Sequence, residues 1–169
     1  MSADDQELLA AAAEAVALLR SKGRTVAVAE SLTGGMVCST LVGIPKVSEV
    51  LRGGVVAYAT EIKSDVLGVD AALIARQSPV DPDVADGMAV GVADVLSADY
   101  GLSTTGVAGP DPQDGHPVGE VYVSVVGPGP DGPSWTQQLE LDPALGRDGI
   151  RRAAVLEALT LLRDHVDGT

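Results

Sequence analysis

The sequence predicts an α/β fold, a three-layer α/β/α sandwich on a mostly parallel mixed sheet of about five strands. Three observations point there. Helical and strand patterns alternate along most of the 169 residues, and two strand patterns near the end are joined by a short Gly/Pro-rich turn. The apolar residues, 46% of the chain and without a single Phe, are mostly Val, Leu, Ile and Ala, a set suited to helices packed on a central sheet. At this length one domain over residues 1–169 is expected, long enough to bury a real core.

The elements follow in order. Ser2-Ala3-Asp4-Asp5 has capping-box spacing, with Asp5 in place of the usual Glu or Gln. Leu8, Ala12, Val16 and Leu19 then share one helical face, and Gly23 marks the stop. Residues 25–29 (TVAVA) read as a buried strand and residues 36–42 as the helix after Gly34-Gly35. Residues 43–51 read as a loop around Pro45 with room for a short helix, and residues 54–60 (GVVAYAT) as the next strand. Thr60 is placed as the cap of a short helix over 61–67, and Asp70 as the cap of another through Gln77. Asp81-Pro82 is a strong helix start, and that helix runs toward Leu96. A third strand, 100–105, ends in a loop over 106–117 rich in Gly, Pro and Asp. Residues 120–126 and 134–141 pair as a hairpin across 127–133, and a long helix, about 147–166, closes the chain. One antiparallel strand in the sheet is expected from that hairpin.

Composition narrows the function. Eleven Lys and Arg stand against 24 Asp and Glu, a formal charge of -13. Such a surface repels phosphate backbones, which argues against direct nucleic-acid contact, while a small anionic ligand is admissible where basic residues converge. Cys38 is the single cysteine, so an intrachain disulfide and a cysteine zinc cluster are excluded, and it reads as a small core residue. The two histidines, His116 and His165, argue against a histidine-rich metal site; neither is given a function, the first lying on a mobile loop and the second on a fraying terminal turn. There is no signal segment and no apolar run long enough to span a membrane, so a cytoplasmic protein without membrane contact is expected.

In such sheets ligands bind beyond the carboxyl ends of the parallel strands. Ala29-Glu30-Ser31-Leu32-Thr33-Gly34-Gly35 puts a hydroxyl, two glycines and a helix start at the end of the first strand. That suits a nucleophile beside an oxyanion hole or a phosphate cradle, and equally a serine that merely caps the helix. Tyr58 and Lys63 follow the second strand: a neutral lysine could act as base for Ser31 with the tyrosine hydroxyl between them, or both could be ordinary surface and packing residues. Gly106-Val107-Ala108-Gly109-Pro110-Asp111 follows Thr105 at the end of the third strand. Its glycines allow close backbone approach to a ligand, and Asp111 could orient a base or a ribose hydroxyl, or cap a turn. Neither glycine loop has dinucleotide or Walker spacing. Arg147, Arg151 and Arg152 open the last helix against its dipole, compensated either by a bound anion or by carboxylates such as Asp148.

Five motifs in this order, Ala29-Glu30-Ser31-x-Thr33-Gly34-Gly35, residues 54–58 with Lys63, Leu67-Gly68-Val69, Gly106-x-Ala108-Gly109-Pro110-Asp111 and Pro117-Val118-Gly119-x-Val121-Tyr122, resemble the CinA C-terminal domain family, which includes nicotinamide-nucleotide amidases. The resemblance spans nearly the whole chain. It implies a three-layer α/β/α fold, homo-oligomeric assembly, and hydrolysis of the carboxamide of nicotinamide mononucleotide to nicotinate mononucleotide and ammonia, with a pyridine nucleotide as small-molecule partner. By position, Ser31 is then the nucleophile, Lys63 the general base and Tyr58 its assistant. Thr33, Gly34 and Gly35 supply oxyanion N–H groups, and Thr105, Gly106, Gly109, Asp111 and Arg147 line the substrate pocket. No metal or organic cofactor is implied. The sequence begins at the first helix of that domain and is expected to be a stand-alone version of it. It departs from the family pattern at Leu32 (commonly Cys), Thr60 (commonly Asn), residues 77–81 (Gln-Ser-Pro-Val-Asp, commonly containing Gly-Ala-Val-Ser), Pro112-Gln113 (commonly Gly-Gly) and Leu145-Gly146-Arg147 (commonly Gly-Asp-Arg). A non-catalytic nucleotide-binding or protein-interaction module on the same fold is the alternative.

Overall fold

The computed structural model describes residues 2–168. Helix α1 (Ala3–Ser21) opens with the expected capping box, in which the Ser2 hydroxyl accepts from the Asp5 N–H and the Asp5 carboxylate from the Ser2 N–H. Strand β1 (Val26–Glu30), helix α2 (Met36–Val42), strand β2 (Leu51–Val56) and two short helices, α3 (Thr60–Asp65) and α4 (Ala71–Gln77), follow. Helix α5 (Pro82–Leu96), strands β3 (Tyr100–Gly106), β4 (Glu120–Val126) and β5 (Ser134–Glu140), and helix α6 (Gly146–Asp167) complete the chain. The Asp70 and Asp81 carboxylates accept from the first N–H groups of α4 and α5, as their sequence signals require.

The sheet order is β2-β1-β3-β4-β5. β2 and β3 are both parallel to β1, while β4 is antiparallel to both β3 and β5, so a single strand runs against the other four. β1 is covered on both faces and buried along its length. Its alternating side chains divide between two cores: Val26 and Val28 pack with α1, α2 and α6, and Ala27 and Ala29 with α3, α4 and α5. Because β1 has β2 on one side and β3 on the other, the chain reverses direction across the sheet there. A crevice opens at the carboxyl ends of such strands.

α5 lies unusually close to β3. A Cβ on Gly101 would stand 1.9 Å from the Ala89 carbonyl oxygen, so only glycine allows this approach. The buried Ser103 hydroxyl donates to the Ala85 carbonyl at 2.5 Å and ties the same two elements.

Three expectations are corrected. β2 begins at Leu51 and ends at Val56, earlier than the apolar run 54–60 suggests; Ala57 still donates to the Glu30 carbonyl at 2.8 Å, after which the chain leaves the sheet. Thr60 lies inside α3, whose N-cap is Ala59 with no side-chain bond. His165, placed on a fraying turn, stacks on Trp135 of β5 with ring centroids 4.0 Å apart.

Gly101→Ala is expected to push α5 off β3 and lower stability by roughly 1–3 kcal/mol. The urea midpoint would fall at an unchanged slope; an unchanged midpoint would contradict the close approach.

Candidate active site

The turn after β1 is built around a buried anion. Glu30, 1% exposed, accepts from the Gly35 and Val37 N–H groups on Oε2 (both 3.0 Å) and from the Cys38 N–H on Oε1 (2.9 Å). These are the otherwise unsatisfied donors at the start of α2, so Glu30 acts as the helix's cap from outside it. Gly34 (φ +57°) and Gly35 (φ +96°) take left-handed conformations that let the chain fold back onto Glu30. Arg151 of α6 holds the outer side of the turn, its Nε donating to the Leu32 carbonyl at 3.0 Å and a terminal nitrogen to the Thr33 carbonyl at 2.9 Å.

Ser31 is thereby freed from capping. Its N–H donates to the Thr104 carbonyl at 3.0 Å, extending the β1–β3 ladder, and its carbonyl accepts from the Gly34 N–H at 3.1 Å. Its hydroxyl meets Lys63. The Lys63 Nζ donates to Ser31 Oγ at 3.2 Å and to the Ala57 carbonyl at 2.9 Å. Lys63 is 1% exposed, and among the described residues no carboxylate comes within ion-pair distance of it. Burial without a counter-charge disfavours the ammonium and lowers its pKa from 10.5 to about 8. Once deprotonated, the Nζ lone pair can accept the serine proton across the same short gap. Cys38 behaves oppositely: burial first, then the neighbouring Glu30 carboxylate, push its thiol up to about 12, so it is no thiolate at neutral pH.

Around Ser31 and Lys63 lies a solvent-open cleft walled by Leu32, Tyr58, Pro79, Val80, the 105–109 segment, Asp111, Gln113 and Arg147. Arg147 spans the mouth, donating to the Gly109 carbonyl at 2.6 Å and to the Tyr58 hydroxyl at 3.2 Å. The N–H groups of Ala108 and Gly109 have no acceptor among the described residues. Asp111 lines the cleft, also without a hydrogen-bond partner there.

The structure gathers Ser31, Lys63, Tyr58, Thr105, Gly106, Gly109, Asp111 and Arg147 at one cleft, and corrects the part assigned to several residues. Tyr58 is 62% exposed and its hydroxyl serves Arg147, whereas the Ser31–Lys63 contact is direct. Thr33, Gly34 and Gly35 lie behind the turn, outside the cleft wall. The Thr33 hydroxyl is shared with that of Thr104 at 2.7 Å, the Gly34 N–H bonds Ser31, and the Gly35 N–H is taken by Glu30. The Thr105 hydroxyl donates to the Pro79 carbonyl at 2.8 Å, so it shapes the wall. Arg152 pairs with Asp148 and Asp5, the carboxylate alternative weighed for the arginines opening α6. His116, expected on a mobile loop, is bonded through both ring nitrogens, to Ser78 and Glu120.

The roles of two residues named in the sequence reading escaped it: Glu30, whose signal was a charge at the end of an apolar strand, and Arg151, whose signal was its place one helical turn after Arg147.

Comparisons with known proteins place these features in context. The family model described as CinA C-terminal domain matches residues 9–166. A CinA-like protein of Frankia casuarinae is 45% identical over 151 residues, covering 89% of this chain and 34% of that protein. One of Synechococcus is 46% identical over 162 residues, covering 95% and 37%. The chain thus spans about a third of the length of the curated relatives it matches. The crystal structure of competence/damage inducible protein CihA from Agrobacterium tumefaciens superposes with a TM-score of 0.88 at 28% identity, covering 95% of this chain and 96% of that one. A competence-damaged protein (CinA) superfamily structure from Klebsiella pneumoniae gives 0.89 at 25% identity, covering 96% and 99%.

Glu30→Gln replaces a buried carboxylate that accepts three N–H bonds by an amide with one acceptor oxygen and an NH2 facing a donor. It is expected to lower unfolding stability by roughly 2 kcal/mol in denaturant titration; unaltered stability would remove Glu30 as the anchor of the turn.

Proposed function

The chain belongs to the CinA C-terminal domain family, and from that footing we propose that it is an amidohydrolase converting nicotinamide mononucleotide to nicotinate mononucleotide and ammonia. The observation that carries this reading is the buried, unpaired Lys63 amine 3.2 Å from the Ser31 hydroxyl. A pKa near 8 leaves roughly a tenth of the amine neutral at pH 7, against about one part in three thousand at the ordinary 10.5. That supplies a base matched to the task.

Neutral Lys63 takes the Ser31 proton as Oγ attacks the carboxamide carbon. The negative charge moves to the former carbonyl oxygen. With the Gly34 and Gly35 N–H groups engaged elsewhere, the Leu32 N–H, in the cleft wall and without an acceptor among the described residues, is the backbone donor we assign to that oxygen. The Lys63 ammonium then protonates the departing nitrogen, ammonia leaves, and Ser31 carries the nicotinoyl ester. Water, deprotonated by Lys63, cleaves the ester and returns the proton to Ser31 on collapse. Arg147 and the free Ala108 and Gly109 N–H groups suit the nucleotide phosphate, in a molecule whose overall charge of -13 otherwise disfavours anions. Tyr58 orients Arg147.

Ammonia release from nicotinamide mononucleotide, assayed without added metal, tests the proposal. Wild-type protein should release ammonia, and Ser31→Ala should lower kcat by about a thousandfold or more. The sign of the pH dependence follows from Lys63: the base is the neutral amine, so kcat/KM should rise with pH and level off above about 8. Equal release by both proteins would place the nucleophile elsewhere. No release by either, with a thermal shift on adding the nucleotide, would favour the non-catalytic binding module.

A further inference from the structure

A second row of hydroxyl, imidazole and carboxylate lies beside the cleft, apart from Ser31 and Lys63. The Ser78 hydroxyl meets His116 Nε2 at 2.7 Å, and His116 Nδ1 meets Glu120 Oε1 at 2.9 Å. The Tyr122 hydroxyl donates to the same carboxylate oxygen at 2.7 Å. Burial, then Glu120, push the Tyr122 phenol up to about 12, so it stays a donor throughout the neutral range. The Ser78 hydroxyl also lies 3.1 Å from the Val80 carbonyl, so its one proton serves either that oxygen or His116 Nε2.

The row has the outline of a nucleophile relay but lacks its chemistry. The residue after Ser78 is Pro79, which has no N–H, and the N–H of Val80 is already donated to Ser78 Oγ at 3.1 Å. Neither of the two residues after Ser78 leaves a backbone donor for an oxyanion.

Its placement suggests a mechanical role. Ser78 is held at φ +97°, a conformation that non-glycine residues keep only where the surroundings enforce it. It directly precedes Pro79 and Val80, one wall of the cleft. His116 sits at the base of the turn that carries the other wall: the Gln113 N–H donates to the His116 carbonyl at 3.1 Å, and the His116 N–H to the Gln113 carbonyl at 2.9 Å. Gln113 and Asp111 face the cleft from that side. One imidazole therefore joins the Ser78–Val80 wall, the 111–116 turn and strand β4.

We propose that His116 is a positioning residue whose bonds to Ser78 and Glu120 latch the two cleft walls together and set the width available to a bound nucleotide. The ligand in this proposal rests on the amidase reading; the latch does not. The residue works on binding, since it touches neither Ser31 nor Lys63.

The test compares wild type, His116→Ala, His116→Gln and Ser78→Gly. Ser78→Gly removes the hydroxyl while relieving the backbone, so its fold is secure. Two readouts are taken: amide hydrogen exchange over residues 78–80 and 111–117, and steady-state kinetics with nicotinamide mononucleotide. His116→Ala and Ser78→Gly should each speed exchange in both segments and raise KM roughly three- to tenfold, with kcat changed by less than about twofold. His116→Gln, whose amide can still reach Ser78, should recover part of both effects. Unchanged exchange in both segments would overturn the latch, whether or not any variant is active. Faster exchange with a lowered kcat and an unmoved KM would overturn its role in binding. Covalent labelling of Ser78 by a fluorophosphonate in a Ser31→Ala background, lost on His116→Ala, would also overturn it by making Ser78 a nucleophile. If no protein releases ammonia, the amidase reading fails, and the exchange data alone decide the latch.

Discussion

An amine held out of water, with no carboxylate beside it among the described residues, is the constraint on which the rest of this site depends. Lys63 is placed on a short helix, α3, that begins only four residues beyond β2, and its Nζ has two partners, a serine hydroxyl and a backbone carbonyl. Neither compensates a full positive charge, so burial shifts the amine toward its neutral form, lowering its pKa to about 8. Such a placement is unfavourable for stability and must be secured by its surroundings. They do so by bringing three strand ends together. β1 delivers Ser31, β2 delivers the Ala57 carbonyl and the turn into α3, and β3 delivers the loop that closes the cleft.

The second constraint is the anion already inside. Glu30 occupies the N–H groups at the head of α2 that a substrate oxyanion or phosphate would otherwise claim. A helix start after a strand is therefore not the anion site it resembles. Negative charge from a ligand must be met on the opposite side of Ser31, where Leu32, the 106–109 loop and Arg147 line the cleft. Fixing the turn from within by Glu30 and from without by Arg151 leaves the Ser31 hydroxyl free to face Lys63.

Much of the fold was legible because its signals are local. Asp70 and Asp81-Pro82 announce their helices through caps that act within three residues, and the apolar periodicity of α1 needs only its own sequence. The hairpin of β4 and β5 is written in a short Gly/Pro turn. The end of β2 was misplaced because 54–60 is apolar on both sides of the point where the chain turns, and periodicity cannot see a departure from the ladder. In the site, the sequence pattern gathers the right segments at one sheet edge, because strand ends alone specify that. It does not say which donor meets which acceptor. Arg151 reaches Leu32 across 119 residues, Arg147 reaches Tyr58 across 89, and His116 reaches Ser78 across 38. Those pairings arise from packing, and with them the true posts of Tyr58, Thr33, Gly34, Gly35 and His116.

The most direct test of the account is the protonation equilibrium of the Lys63 amine, followed by nitrogen-15 NMR of side-chain-labelled lysine, with Lys63→Met to assign the signal. The account predicts titration at about 8, well below the ordinary 10.5, with burial as the cause. An amine that titrates near 10.5 would mean that Lys63 is solvated or paired in solution, and would contradict its role as the base that activates Ser31.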